Sequence, residues 1–220
     1  ARSSSDGLNL QLSNTLTYRF DIDNIHDFNF LLGHEWQDYH VEAFSVSSAG
    51  QNNNLLTDLS TGTRVTSWTS TADSDYSRVS FFGRAEYNFA NKYYGEVSLR
   101  TDGSSRFGKN NKNATFWSVG AMWKIKNESF LSNVNWINEL NFKASYGTQG
   151  NASIGDYLHL PLMGKMTDYA TGSSLALVQP SNPDLTWETV ITKNLGVDLG
   201  FLSFILFIAV IAAFVQLVEM

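Results

Sequence analysis

Cysteine is absent from the 220 residues, which excludes a disulfide scaffold, thiol catalysis and Cys-ligated zinc, and fits a protein that crosses an oxidising compartment. Charge is scarce as well. Only 16% of residues are Asp, Glu, Lys or Arg, against roughly 25% in ordinary soluble domains. The formal net charge is -6 and no basic cluster occurs, so no nucleic-acid partner is expected. The composition that keeps chains disordered is also missing, because 43% of residues are hydrophobic and 14% aromatic. No charged n-region with an apolar core follows Ala1, so a leader peptide is expected to have been removed or to lie upstream.

What is present is alternation. From Leu8 to Ile22 the even positions read Leu8, Leu10, Leu12, Asn14, Leu16, Tyr18, Phe20 and Ile22, while every odd position is polar. Successive side chains of a strand point to opposite faces, so this segment is a two-faced β-strand. The pattern recurs over Arg78–Phe89, Phe116–Ile125, Glu139–Gly147 and Trp187–Phe201, and more weakly over His26–Trp36 and Tyr93–Thr101. That makes seven strands, and no helix is expected before the tail.

The connections alternate in length. Short ones fall at Asp23-Asn24 and at Ala90-Asn91-Lys92, and long ones near 44–77, 102–115 and 150–186. The Lys126–Ile137 link is intermediate and has room for one helical turn. Short turns at one end and long loops at the other are the plan of an outer-membrane β-barrel, whose long loops are extracellular. Aromatic residues crowd the short-turn end, among them Tyr18, Phe20, Phe28, Tyr87, Phe89, Tyr93, Tyr94, Trp123 and Phe201, as an interfacial girdle requires. Alternation by itself does not say which face is wet, and a soluble barrel or sandwich would turn the same apolar residues inward. Strand length favours lipid: segments of about 12–15 residues reach roughly 40–50 Å, natural for a tilted spanning strand and long for a soluble sheet. The long loops point the same way, being rare inside compact soluble domains.

Candidate chemistry is thin. His26, His34 and His40 share one parity, but strand spacing separates neighbours by roughly 26 and 20 Å, so they form no common metal site. No nucleophile-elbow pattern accompanies the Ser, His and Asp residues, and no catalytic residue is expected. Arg100-Thr101-Asp102-Gly103-Ser104-Ser105-Arg106-Phe107-Gly108 looks like a phosphate loop but lacks the Gly-Lys-Ser/Thr ending and a following helix. It reads instead as an Asp-Gly turn capping a hairpin, with its arginines paired to carboxylates of the wall. Asn182-Pro183-Asp184 reads as a turn ahead of the next strand. Trp68, Tyr157 and Tyr169 are loop aromatics able to stack on sugar rings or on a partner protein, and equally able to fold their own loops.

Four ordered blocks carry a resemblance: Arg100–Gly108 (RTDGSSRFG), Phe116–Leu131 (FWSVGAMWKIKNESFL), Leu140–Asn151 (LNFKASYGTQGN) and Asn182–Phe201 (NPDLTWETVITKNLGVDLGF). Together they resemble the SusC/RagA-type TonB-linked outer-membrane transporters of Bacteroidetes, strongly over Ser77–Leu202 and loosely over the first hairpins. The resemblance implies an all-β, antiparallel transmembrane barrel of about 22 strands, plugged by an N-terminal domain. Seven strands would leave two unpaired edges in lipid, so residues 1–202 are expected to be an internal part of that barrel. It further implies import of a bulky nutrient, an oligosaccharide or a peptide, with a SusD-like surface lipoprotein as lid and the TonB complex acting through an N-terminal region. No cofactor is implied. The motif positions Arg100, Asp102, Gly103, Ser104, Ser105, Arg106, Phe107, Gly108, Tyr146, Gly147, Gly150, Asn151, Asn182, Pro183, Trp187, Glu188, Asn194 and Gly196 are expected to serve the wall rather than to bind. A structural or adhesive outer-membrane barrel and a soluble β-rich carbohydrate-binding module remain as alternatives.

The tail at 203–220 breaks the pattern, reading FILFIAVIAAFVQLVEM from Phe204 onward, about the length of a membrane-spanning helix. A frame change at an incomplete gene end is the expected cause, a genuine apolar helix the alternative. In the first case the native gene continues with another alternating strand.

Overall fold

The computed structural model describes residues 2–51, 53, 55, 58–62, 64–166, 174–201, 204–206 and 214–215, with the side chains of 64–73, 204–206 and 214–215 outside the description. Seven long strands form one antiparallel wall in the order β1 (Arg2–Ile22), β2 (His26–Ala49), β3 (Arg64–Phe89), β4 (Tyr93–Ser104), β5 (Asn113–Lys124), β6 (Ile137–Asn151) and β9 (Glu188–Phe201). Between β6 and β9 the chain leaves the wall and forms a separate two-stranded hairpin, β7 (Leu162–Met166) with β8 (Ser174–Gln179). Of the tail, two short strands are described, β10 (Phe204–Leu206) and β11 (Phe214–Val215), both antiparallel to β9. Among the described residues no helix is long and apolar enough to cross a membrane, which says nothing of crossing by strands.

The register aligns residues of like polarity across strands. One row runs Leu16, Leu32, Gly83, Leu99, Trp117, and the next runs Tyr18, Phe30, Ala85, Val97, Val119, Tyr146. These side chains are left uncovered: Leu16 is 67% exposed, Phe81 59% and Val97 56%. No protein interior receives them. An apolar belt of this extent facing water would be an association surface, whereas facing hydrocarbon it is the ordinary outside of a membrane barrel. On the opposite face a row runs Arg19, Asn29, Glu86, Glu96, Gly120, Ser145, Asn194.

The short-turn end is closely tied. Asp23 and Asn24 have φ of 55° and 55°, and Ala90 and Asn91 have 52° and 54°. Ile25 N–H donates to Ile22 O and Lys92 N–H to Phe89 O, closing type I′ turns whose twist matches that of the strands. The aromatic girdle lies beside them: Phe20 stacks on Phe28 at 5.0 Å, and Phe28 meets Tyr87 in a tilted contact at 4.9 Å. The Lys126–Ile137 link holds two 3-10 turns, Ile125–Asn127 and Ser129–Leu131, rather than one helical turn.

The strands overrun the loops that the alternation marks out. β2 continues to Ala49 and β3 begins at Arg64, so the connection expected over 44–77 shrinks to 50–63. Beyond the apolar belt these strands are rich in Ser and Thr, so backbone pairing continues where the hydrophobic pattern has thinned out. The Asp-Gly turn is likewise corrected. Asp102 and Gly103 lie within β4, opposite Ser80 and Val79, and the connection to β5 spans 105–112. Pairing with β3 overrides the local turn propensity there.

Candidate functional site

The inner face of the wall carries the ionic chemistry. Arg19 donates to both carboxylate oxygens of Asp27 at 3.1 and 2.7 Å. Asn29 donates to Glu86 at 2.6 Å, and Lys143 pairs with Asp198 at 2.6 Å. Glu86 and Glu96 face one another across β3 and β4, and Arg84 sits 3.4 and 3.7 Å from them. Arg19, Asp27, Asn29, Glu86, Glu96, Lys143 and Asp198 line a trough of about 700 Å³, together with Tyr94, Met122, Ser145 and Asn194. Higher on the same face, Arg100 bridges β2 and β4, reaching Glu35 at 2.9 Å and Asp102 at 2.7 Å while lying over the Phe82 ring. Arg100 thus pairs with a wall carboxylate, as the sequence suggests.

Above the trough the connections fold inward and knot together. The β4–β5 loop inserts Phe107, fully buried, against Trp187 at 4.4 Å, and Phe116 of β5 meets the same indole edge-on at 5.8 Å. With Ala152 these form the buried core of the described residues. Burial of each large ring contributes about 1.5–3 kcal/mol. Phe116 lies flat over Gly150, in space where a Cβ at that position would sit inside the ring. Gly108 lets the loop backbone run against Asn182-Pro183-Asp184: its N–H donates to Leu185 O at 2.9 Å, and Asn110 N–H to Pro183 O at 3.2 Å. Asn110 Nδ2 reaches Asp184 at 2.6 Å, and the Trp187 indole N–H donates to Lys112 O at 3.1 Å. Two separate motifs therefore make one structure.

Arg106 completes it. Its Nε pairs with Asp156 at 2.6 Å, Nη1 donates to Ala152 O at 3.3 Å, and its guanidinium lies 3.9 Å from the Tyr76 ring centroid on β3. Ser74 Oγ also donates to Asp156. Next to it Tyr157 has a φ of 62°, in the left-handed region, which for a bulky residue costs about 1–3 kcal/mol and is held by its surroundings. Partial burial, and then the charge and hydrogen bond of Asp75, raise the Tyr157 phenol above its ordinary value. Asp75 is shared with His40, whose other ring nitrogen faces Glu42 at 3.4 Å.

Of the three loop aromatics, Tyr157 is thus engaged within the fold. Trp68 pairs through its backbone with Val46, its side chain outside the described residues, and Tyr169 lies outside them altogether. Ser104 Oγ accepts from Arg106 N–H at 3.3 Å and Ser105 Oγ from Ser77 N–H at 2.9 Å. Asn151 donates to Glu188 at 2.7 Å and Asn194 to Ser145 at 3.1 Å, tying β6 to β9. Tyr146, by contrast, is on the outer face beside Trp117 at 5.4 Å, while Gly147 and Gly196 pair with Ser118 and Lys143. The three histidines stand apart: His26 bonds Tyr87 and His34 packs on Phe81. Among the described residues no group of three metal-ligating side chains comes together. Asp75, Asp156 and Tyr76 are the participants that the sequence pattern did not mark, since none belongs to a motif or to the apolar alternation.

The family model described as TonB dependent receptor-like, beta-barrel matches residues 2–216. The chain is 35% identical over 184 residues to the TonB-dependent receptor SusC of Bacteroides thetaiotaomicron, covering 80% of this chain and 18% of that protein. It is 32% identical to the TonB-dependent receptor P26 of Formosa agariphila, covering 86% of this chain and 20% of that one. Among solved structures it is similar to the RagAB peptide transporter, with a TM-score of 0.82 at 36% identity over 91% of this chain and 22% of that chain. The open-open state of the RagAB peptide importer gives 0.80. The chain spans about a fifth of the length of the relatives it matches.

Proposed function

Because the chain belongs to the TonB-dependent receptor β-barrel family, an outer-membrane family, we propose that it is a wall section of an importer that takes up a bulky nutrient, an oligosaccharide or a peptide. The observation that carries this reading is the division of the wall: an uncovered apolar belt on one face, and on the other a charged trough beneath inward-folded loops. Such a wall separates hydrocarbon from a polar passage. A plug domain and a TonB-contact segment belong to parts of the protein beyond the matched fifth. A SusD-like surface lipoprotein closes over the long loops, a reading supported by the likeness to SusC and RagAB. The inner ion pairs bind and orient; no bond of the nutrient is made or broken.

The test is uptake by cells carrying the whole receptor. Labelled maltodextrins and oligopeptides are supplied with and without a working TonB, and with and without a co-expressed SusD-like lipoprotein. Import of one class that needs all three components is expected. Equal import in cells lacking the receptor, or covalent turnover by the purified protein, would sink the reading.

A further inference from the structure

Each long loop could have pointed outward into solvent. Instead, both ends of the β6–β9 connection are tied to one short loop, the first end also to β3 through Ser74 and Asp75. At the first end Arg106 grips Asp156 and Ala152 O, with its guanidinium seated on Tyr76. At the second, Gly108, Asn110 and Lys112 bond Leu185, Pro183 and Trp187, and Phe107 stacks on the indole. The anchoring loop comes from β4 and β5, whereas the connection joins β6 to β9, so the bonds reach across β6 on the inner face. Arg106 and Asp156 are 20% and 12% exposed, dry enough for their bond to hold a position. Between the two ends, the β7–β8 hairpin packs mainly on itself and is carried by the connection, Gln179 donating to Tyr157 O at 2.9 Å and to Leu160 O at 2.7 Å, so it follows the end that Arg106 holds.

We propose that the β4–β5 loop is a latch, with Arg106 and Trp187 as its positioning residues, and that it sets the width of the passage by holding the β6–β9 connection inward above the trough. The width consequence rests on the import reading; the latch itself does not. Release at either end lets the connection swing out, widening the mouth while leaving the paired wall intact. The latch therefore acts on which sizes pass rather than on whether the barrel forms.

The experiment uses the whole receptor in outer membranes. Trypsin cleavage at Lys165, in β7, reports release, and heat-modifiable migration reports the barrel. Arg106→Ala and Trp187→Ala are expected to speed cleavage at Lys165 about tenfold, since cleavage tracks the open population and a charge-assisted bond is lost. Trp187→Phe keeps a stacking ring and is expected to stay near the parent rate. The exchange Arg106→Asp with Asp156→Arg should restore protection that either change alone removes. In parallel, uptake of graded maltodextrins and oligopeptides should shift toward longer chains in Arg106→Ala, through KM for long probes more than through maximal rate. Unchanged cleavage in folded Arg106→Ala barrels overturns the latch. Faster cleavage with an unaltered size profile overturns its control of the passage. If Trp187→Ala fails to fold, Arg106→Ala and the charge exchange decide. Absence of uptake by the parent receptor, with cleavage behaving as expected, refutes the import reading and leaves the latch standing.

Discussion

Phe107 and Trp187 stack at 4.4 Å with their planes 28° apart, although eighty residues and two intervening strands of the wall separate them in sequence and space. One comes from the loop after β4 and the other from the residue before β9. Phe107→Ala in the whole receptor is expected to destabilise the folded barrel by about 3–5 kcal/mol, the usual cost of emptying a buried aromatic site. Phe107→Leu should cost less than half of that. Urea unfolding in micelles, followed by loss of the heat-modifiable band, measures both. A cost below ~1 kcal/mol for the alanine variant would show that the cluster holds no tertiary structure together.

Gly108 and Gly95 offer a matched comparison. An added methyl at Gly108 would run into the backbone oxygen of Pro183, whereas at Gly95 it meets nothing within 4 Å. Gly108→Ala is expected to cost about 1–3 kcal/mol and to expose Trp187 to a quencher. Gly95→Ala should leave the Trp187 environment unchanged. Equal quenching in the two variants would count against the knot.

Glu128, in the link between β5 and β6, accepts from Tyr93 at 2.6 Å, Lys92 at 2.9 Å and the Trp123 indole at 3.1 Å. These donors, Tyr93 first, hold its carboxyl down from 4.5 to about 2. A depressed carboxylate stabilises the fold above its unfolded value and loses that contribution as pH falls through the folded one. The tie should therefore be complete above pH 4.5 and fade as pH drops toward about 2. The indole N–H resonance of Trp123 reads this directly, and Glu128→Gln should remove the titration. A midpoint near 4.5 would mean that the three donors do not act on the carboxylate in its charged form.

Val97 and Ser98 are neighbours on β4 that face opposite ways, Val97 toward Ala85 and Val119, Ser98 toward Arg84 and Ser118. Val97→Arg places a cation in hydrocarbon and should cost about 2–4 kcal/mol in lipid vesicles. Ser98→Arg stays on the polar inner face, beside Glu96 and Asp102, and should cost far less. The reverse order would turn the wall inside out.

Which segments form strands was legible because burial against one apolar medium imposes a period of two, and Leu8–Ile22 shows it without tertiary information. The ends of the strands were not. Residues 44–49 and 64–77 carry only scattered apolar residues among many Ser and Thr, too few to set a sustained period of two, and only pairing with the neighbouring strand shows that they continue. Asp102-Gly103 has the local chemistry of a turn, yet the hydrogen bonds of β3 keep it extended.

Motif residues were legible as motif residues, but their roles were not. Nothing in the spacing says that Gly108 faces Pro183, or that Arg106 would choose Asp156 over a carboxylate of the wall. The sequence by itself determined the two-faced strands, the places of the short turns and the aromatic girdle, since each depends on neighbours one to four residues away. The tertiary structure alone decided the knot, because its contacts join loops across β6, and such meetings are set by strand order and register rather than by local preference.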